Sequence, residues 1–484
     1  MTTPGQTKIL IVVFDALRPE FVRPDLMPNL CRFADQGCRF INSRSTFPTE
    51  TRVNQTAVLT GCYPRRHGIV GNKFPELSVS SDRVVNTGDN EQISEAFLTA
   101  QGGLIQSPTL PDRLAALGLN YAALSAGTPG GGRLINHSAE ANRTFRLAMH
   151  CPEASQPAGA LEASVRAAGP LPAYHRPALD WINWASDAYL GYIVPEVDPD
   201  VMLLWLCEPD ETFHFLGIGS EPALETIRNA DRQFGRILEH HARELDSGAL
   251  HLIAMSDHGQ ISLEGEALDL VGQMQEAGFR AGKAPGEDVD YTVVAGNAAS
   301  IWARERAQAG VVPLVEWIQD QPWCGPVFTR DGLAGTLKLE EVLMDHPRSP
   351  DVAFAFRYSD GQNSAGIRGL TQHDAFYPER GGCHGGLSPH ELNNVLILGG
   401  QQIRAGRVDP SPAGNIDVLP TLFALLGLPE PDGIDGAALS SAFHGRVVEE
   451  TRPEERMIEA PNGRTRLSVT ETRGRRYLNR AWAV

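Results

Sequence analysis

The chain has 484 residues, a hydrophobic content of 42% and a formal net charge of −17. This length predicts one large domain with a smaller domain or substantial insertions. No apolar run approaches the roughly 18 residues of a membrane span, and the negative charge disfavours nucleic-acid polymers and anionic membranes as partners. An anionic substrate would therefore need local cations.

The N-terminal region and the cysteines both favour a cytoplasmic location. The apolar run at residues 9–14 is followed by Asp15 and not by a small-residue cleavage site, so it predicts a buried strand and not a signal peptide. The seven cysteines are scattered and form neither a disulfide framework nor a CxxC zinc pattern.

Strands and helices alternate along the chain. The sequence predicts a strand at 9–14, a helix and a strand within 25–44, a helix at 110–118, strands at 121–125 and 201–206, a helix at about 222–245, strands at 251–255 and 393–398, a helix at 415–427 and an edge hairpin from 466–470 and 476–478. This βαβ order predicts a doubly wound α/β fold, with a mostly parallel central sheet and helices on both faces.

Two stretches interrupt this order. An insertion is expected at about 147–195, where Trp181 and Trp184 are interpreted as core residues. The mixed strands and short helices of a later stretch predict a smaller α+β cap. We therefore divide the chain into a first core part with that insertion, a cap, and a second core part, at residues 1–260, 261–370 and 371–484.

Three predicted strands run into aspartates, which are Asp15, Asp210 and Asp257. Ligands of open parallel sheets bind beyond the carboxyl ends of the strands, so we expect these carboxylates to converge. Carboxylates that lie close together need cations. The sequence therefore predicts a cation site at this edge of the sheet.

Three histidines are placed to complete a metal site. They are His214, four residues after Asp210, His258, directly after Asp257, and His384, just before the last predicted core strand. Aspartate with neutral histidine suits zinc, and manganese, iron and cobalt are alternatives. Two metals roughly 4 Å apart clamp the attacking and leaving oxygens in phosphoryl transfer. We therefore predict two divalent metal ions, with zinc as the first candidate.

The candidate nucleophile is Thr51. The uncharged run at 53–60 predicts a helix packed in the core, so Thr51 would lie at the helix N-terminus, where free amides and the helix dipole favour phosphate and a developing alkoxide. The alternative is that Thr51 is only an N-cap. His67, a little further on, is interpreted as structural. The strand-end aspartates favour the catalytic interpretation.

These motifs, taken together, resemble the nucleotide pyrophosphatase/phosphodiesterase branch of the alkaline phosphatase superfamily. They are, in order, Asp15, FPTET with Thr51, TGCYPRRHGIVGN with Asn72, DxxxH at 210–214, DHG at 257–259, and His384. The resemblance implies an alkaline phosphatase-like fold. It also implies a metal-dependent hydrolase of small-molecule phosphate esters, in the first place a phosphodiesterase.

The resemblance also implies roles for individual residues. Thr51 would be the nucleophile, and Asn72 would donate to a phosphoryl oxygen. One metal would be held by Asp15, Thr51, Asp257 and His258, and the other, on the leaving-group or water side, by Asp210, His214 and His384.

Two positions depart from the family pattern. The diesterases have an aromatic residue and a proline after the nucleophile, where this chain has Arg52 and Val53. Arg52 is therefore a candidate substrate-binding residue, together with Asn72. Some monoesterases and the phosphonoacetate hydrolases carry basic residues where this chain has Gly-Thr-Pro at 127–129.

Several alternatives remain open from the sequence. A phosphomonoesterase or a phosphonate hydrolase would use the same residues. A phosphomutase is also possible, whereas a sulfatase is disfavoured because the Cys/Ser-x-Pro-x-Arg cassette is missing. From a different class, the chain would be an inactive metal-binding protein.

Overall fold

The fold is built around an eight-stranded sheet, in a computed structural model that describes residues 7–445 and 452–484. The first six residues, where a leader would begin, lie outside the described residues. The strands are β1 (Lys8–Phe14), β2 (Cys38–Arg44), β3 (Tyr121–Ser125), β4 (Phe145–Ala148), β5 (Val201–Leu206), β6 (Leu250–Met255), β7 (Leu396–Gly399) and β8 (Arg407–Gly414).

The sheet is mostly parallel and has the order β8-β2-β7-β6-β1-β5-β3-β4. β7 runs antiparallel to both of its neighbours, and the other neighbouring pairs are parallel. Alternate residues of β1 enter two hydrophobic cores, with Ile11 in one and Val12 in the other. Apolar packing therefore covers both faces of the sheet, and the predicted fold class is confirmed.

Helices flank the central sheet, and a few of them pack against a smaller sheet later in the chain. They span Pro28–Gln36, Thr51–Thr60, Pro64–His67, Asn90–Thr99, Leu110–Ala116, Pro129–Leu134, Ala139–Asn142, Ala160–Ala168, Leu179–Ala188, Asp210–Leu216, Glu221–His240, Ala242–Ser247, Leu270–Glu276, Val311–Gln319, Pro389–Leu392 and Val418–Leu425. The helix predicted at 222–245 is divided at His241. Among the described helices, none has the length and apolar character needed to cross a membrane.

Smaller sheets follow β6. A six-stranded sheet contains Ala281–Gly282, Tyr291–Ala295, Ala298–Ala303, Val352–Phe356, Cys324–Thr329 and Leu337–Lys338, and a four-stranded sheet contains Tyr358–Gln362, Arg368–Thr371, Ile261–Leu263 and Gly382–Cys383. The four-stranded sheet joins residues on both sides of position 370. The division into core and cap stays a prediction.

The C-terminal tail forms the predicted hairpin. Thr465–Thr472 pairs antiparallel with Arg475–Ala483, and both belong to a separate three-stranded sheet with Glu454–Glu459. The predicted hairpin is therefore confirmed, and Arg475–Ala483 is an edge strand of this separate sheet. Leu467 and Leu478 of the hairpin pack into the main hydrophobic core.

Candidate active site

The carboxyl ends of three adjacent strands bring the predicted aspartates together. β1 lies between β5 and β6, so the residues that follow these strands share one edge of the sheet. The backbone amide of Asp210 donates to the carbonyl of Asp15 over 3.1 Å. The carboxylate of Asp257 accepts from the amide of Ala16 over 3.2 Å. The parallel order of the strands thus places all three carboxylates at one site.

Two carboxylate oxygens in this site are buried without a hydrogen-bond partner among the described residues. Asp15 Oδ2 accepts from the Trp205 indole over 2.9 Å, but Asp15 Oδ1 and Asp257 Oδ2 have no donor. Burial, and then the nearby charges of Asp257 and Asp210, raise the pKa of Asp15. Buried charges normally have a partner or coordinate a metal, so these oxygens fit metal ligands.

The three predicted histidines all direct the same ring nitrogen to the backbone. Their Nδ1 atoms lie 2.7–2.9 Å from carbonyl oxygens, namely His214 from Gly382, His258 from Gly259 and His384 from Thr49. A carbonyl only accepts, so each Nδ1 donates and each Nε2 keeps its lone pair. This arrangement is typical of histidines that bind a metal through Nε2.

The Nε2 atoms and the carboxylates form two groups that could each hold a cation. The ligand atoms of Asp210, His214 and His384 lie within 4.8 Å of one another, as do those of Asp15, Asp210 and His258. Although burial raises the pKa of Asp210, the neighbouring side chains of His214 and His384 hold it well below its usual value. Asp257 adjoins the second group, with its Oδ2 3.1 Å from His258 Nε2. The donor set fits a divalent metal.

Thr51 is the first residue of the helix Thr51–Thr60. The N-cap is Glu50, whose extended backbone precedes the first turn. The alternative in which Thr51 serves only as the N-cap does not hold in this structure. The Thr51 hydroxyl lies 3.2 Å from His258 Nε2, directly beside the second group of ligands.

Asn72 and Arg52 both lie beside Thr51. The backbone amide of Arg52 donates to Asn72 Oδ1 over 3.1 Å, which leaves Asn72 Nδ2 as the group that can donate to a ligand. The backbone amide of Asn72 donates to the Glu50 carboxylate. Burial raises the pKa of Asp15, and the charge of Arg52 opposes a small part of that rise.

Other residues of the site were missed by sequence reasoning. Gln260 donates to Asp210 Oδ1 over 2.6 Å, and its position directly after the DHG motif was a usable signal. Trp205 carried no signal apart from its apolar strand. His67 is buried, and its Nδ1 accepts from the Ile69 amide over 3.1 Å, in keeping with a structural role.

The fold and the site together define an α/β protein with a mostly parallel sheet. A candidate metal centre and the Thr51 hydroxyl lie beyond the carboxyl ends of its central strands. A family model described as type I phosphodiesterase / nucleotide pyrophosphatase matches residues 9–320, more than half of the chain. The chain belongs to this family, and the predicted resemblance is confirmed.

Relatives in sequence carry names of the same kind. The human ectonucleotide pyrophosphatase/phosphodiesterase family member 7 is 26% identical over 269 residues, which are 55% of this chain and 51% of the relative. A venom phosphodiesterase of Macrovipera lebetinus is 23% identical over 261 residues, which are 52% of this chain and 26% of the relative. The matched region thus spans about half or less of these relatives' length.

Solved structures share the fold over most of the chain. Human ectonucleotide pyrophosphatase/phosphodiesterase 5 gives a TM-score of 0.62 at 16% identity and covers 91% of this chain and 100% of that one. An inactive threonine-to-alanine variant of the murine protein in complex with AMP gives 0.60 at 16% identity and covers 88% and 96%.

Proposed function

We propose that the protein hydrolyses small-molecule phosphate diesters, with Thr51 as nucleophile and two divalent metal ions, in the first place zinc. Manganese, iron and cobalt are the alternatives. The observation that carries this proposal is the convergence of Asp15, Asp210 and Asp257 with three histidines anchored through Nδ1, next to the Thr51 hydroxyl. Family membership supports chemistry at phosphoric ester bonds.

The proposed ligand sets follow the resemblance. Thr51, Asp15, Asp257 and His258 would hold the metal on the nucleophile side, and Asp210, His214 and His384 the metal on the leaving-group or water side. When bound, the two ions would lower the pKa of the Thr51 hydroxyl and neutralise charge on the departing oxygen.

The side chains of the chain itself account for the two steps of hydrolysis. Thr51 Oγ1 forms a bond to phosphorus as the bond between phosphorus and the ester oxygen breaks. Water then attacks the same phosphorus, and the Thr51 oxygen leaves. Asn72 Nδ2 donates to a phosphoryl oxygen in both steps, where charge accumulates. A murine neighbour of the same fold, described as inactive after threonine-to-alanine substitution and bound to AMP, supports this proposal.

The preference for diesters rests on the turn after β3. Monoesters carry a second negative charge, which enzymes usually meet with side-chain cations. Residues 127–129 are Gly, Thr and Pro, and the Thr128 hydroxyl caps the helix Pro129–Leu134 by accepting from the Gly131 amide. Arg52 is the one observation that favours a monoesterase or phosphonate hydrolase instead.

We also propose a cytoplasmic location.

Metal analysis tests the proposed cofactors. Purified protein incubated with zinc and desalted should retain about two ions per chain. Asp210→Ala and His384→Ala should deplete one site preferentially, and Asp15→Ala and Asp257→Ala the other. A stoichiometry near zero would contradict the proposal.

Turnover of a diester tests whether Thr51 is the nucleophile. Any turnover that depends on Thr51 would exclude the alternative of an inactive metal-binding protein. Thr51→Ala should lower kcat for bis(p-nitrophenyl) phosphate by several orders of magnitude while the fold and metal content persist, and Thr51→Ser should retain part of the rate. Near-normal turnover by Thr51→Ala would make water the direct nucleophile.

A further inference from the structure

Three aromatic side chains form a shelf next to the histidine ligands. This aromatic shelf consists of Phe215, Phe376 and Tyr377. The Tyr377 ring stacks on His214, with centroids 3.8 Å apart and an angle of 16° between the planes. Phe376 lies on Tyr377 at 4.3 Å, and Phe215 meets Tyr377 edge-on at 5.3 Å. Two successive ring contacts thus connect Phe376 to a candidate metal ligand.

The loop that carries Phe376 and Tyr377 is fixed to the site. The carbonyl of Gly382 accepts from His214 Nδ1. A Cβ at Gly381 would lie 2.1 Å from the carbonyl oxygen of His214, so the backbone approaches closely enough to require glycine. The position of Phe376 is therefore coupled to that of His214.

The rings of the shelf differ in what covers them and in how far they are exposed to solvent. Tyr377 is covered by His214, and the Arg176 guanidinium lies 3.9 Å from the centre of the Phe215 ring. Phe376, by contrast, is 80% exposed. Among the large hydrophobic residues that are exposed in the described part of the chain, it is the only aromatic one. One exposed ring, which is joined to His214 through Tyr377, is thus left for a ligand.

We propose that Phe376, supported by Tyr377 and Phe215, stacks on an aromatic or heteroaromatic substituent of the phosphate ester. This inference rests on the proposed function and names its substrate class. The residue after the nucleophile is Arg52, so that position supplies no ring. The shelf supplies one from the side of Asp210, His214 and His384. Offset stacking between aromatic rings adds to the free energy of burying them, which makes Phe376 a specificity-determining residue.

Two phosphinates isolate the contribution of the ring. Dimethylphosphinate and methyl(phenyl)phosphinate carry the same single charge, have no ester bond to hydrolyse and differ by one aromatic ring. Both are used as competitive inhibitors of methyl p-nitrophenyl phosphate hydrolysis by the zinc-loaded full chain. The phenyl compound should bind the wild type about fivefold more tightly, the effect expected of one aromatic pair.

Substitutions assign that advantage to Phe376. Phe376→Ala should reduce it to less than about twofold and leave the Ki of dimethylphosphinate unchanged, whereas Phe376→Tyr should keep it. Leu98→Ala, which removes a side chain that is 87% exposed, is the control and should also keep it.

Three results would overturn the inference. The first is that Phe376→Ala still binds the phenyl compound about fivefold more tightly than dimethylphosphinate, and the second is that the wild type shows no such difference. The third is that Phe376→Ala loses equal affinity for both phosphinates, which would mean that the loop only shapes the site. If the protein hydrolyses no phosphate ester, that result counts against the proposed function alone. The affinities of the two phosphinates are then measured by titration calorimetry, which tests the role of Phe376 without turnover.

Discussion

Asn72 presents a single donor to the space beside the Thr51 hydroxyl. Its Oδ1 accepts from the Arg52 amide, so Asn72 Nδ2 is the group that could donate to a phosphoryl oxygen. Asn72→Ala should lower kcat for a phosphate diester by about 10²–10³, or about 2.7–4 kcal/mol of transition-state stabilisation. Asn42→Ala, which removes a half-buried asparagine that donates to the Pro410 carbonyl, should leave kcat within twofold. A kcat within threefold of wild type in Asn72→Ala would contradict the role.

Arg52 is the candidate residue for binding a second negative charge on the substrate. We expect a higher kcat/KM for methyl p-nitrophenyl phosphate than for p-nitrophenyl phosphate in the wild type. Arg52→Ala should lower the monoester value further, because it removes the cation next to the nucleophile. The measurement is the ratio of the two kcat/KM values, with Arg66→Ala as control. A wild-type preference for the monoester that disappears in Arg52→Ala would make Arg52 the dianion ligand.

At the scale of elements, the turn before the helix Thr51–Thr60 is held by the buried side chain of Asn54. Asn54 Oδ1 accepts from the amide of Thr46 and from Asn415 Nδ2, each over 2.8 Å. Asn54 Nδ2 donates to the carbonyl of Glu50 over 3.1 Å. One side chain thus fixes the segment that carries Thr51, the candidate nucleophile.

Asn54→Ala should therefore lower both stability and activity. Unsatisfied buried groups cost about 1–3 kcal/mol of unfolding free energy, which urea denaturation measures. We expect kcat/KM to fall at least tenfold with unchanged metal content. Asn136→Ala is the matched control, because Asn136 is also buried and bonded to Thr144 and Phe145 but lies in another segment. An activity loss no larger than in Asn136→Ala would contradict this positioning role.

At the scale of the whole molecule, Asp417 joins the tail sheet to the central sheet. Its Oδ2 accepts from the Tyr477 hydroxyl over 3.0 Å and from the Gly414 amide over 2.8 Å, while Oδ1 accepts from the Ala437 amide. Burial raises the pKa of Asp417 to about 6, although these hydrogen bonds lower it.

The raised pKa makes stability depend on pH. The folded protein holds a proton on Asp417 that the unfolded chain releases near its normal pKa. This contribution to the unfolding free energy is therefore complete below about pH 4 and lost as the pH rises through about 6, with a maximum of roughly 3 kcal/mol. Asp417→Asn should flatten the decline of Tm between pH 4.5 and 7.

Asp409→Asn is the control, because the folded structure shifts the pKa of Asp409 in the opposite direction to that of Asp417. Burial raises the pKa of Asp409, but hydrogen bonds from Ser441 and Arg407 outweigh it and lower the pKa below its usual value. The contribution of Asp409 to stability is thus present above its normal pKa and lost towards acid, so this variant should not flatten the decline. An equal slope in wild type and Asp417→Asn would contradict the role of Asp417.

Much of the fold could be predicted because strands and helices leave local patterns. The runs at 121–125 and 201–206 became β3 and β5 with those bounds, since continuous apolar residues suit strands buried on both faces. Asp15, Asp210 and Asp257 converge because parallel strands end at a common edge. The sequence alone therefore predicted which residue types form the candidate site.

Contacts between distant segments were decided only by the tertiary structure. β7 looks like the other core strands, and its antiparallel direction depends on the path of the chain around it. The bond between Asn54 and Asn415 joins residues 361 positions apart, and Phe376 meets His214 through Tyr377 only after the loop has folded back. Sequence patterns record a residue's burial and its neighbours along the chain, whereas the packing of the whole chain selects its partners in space.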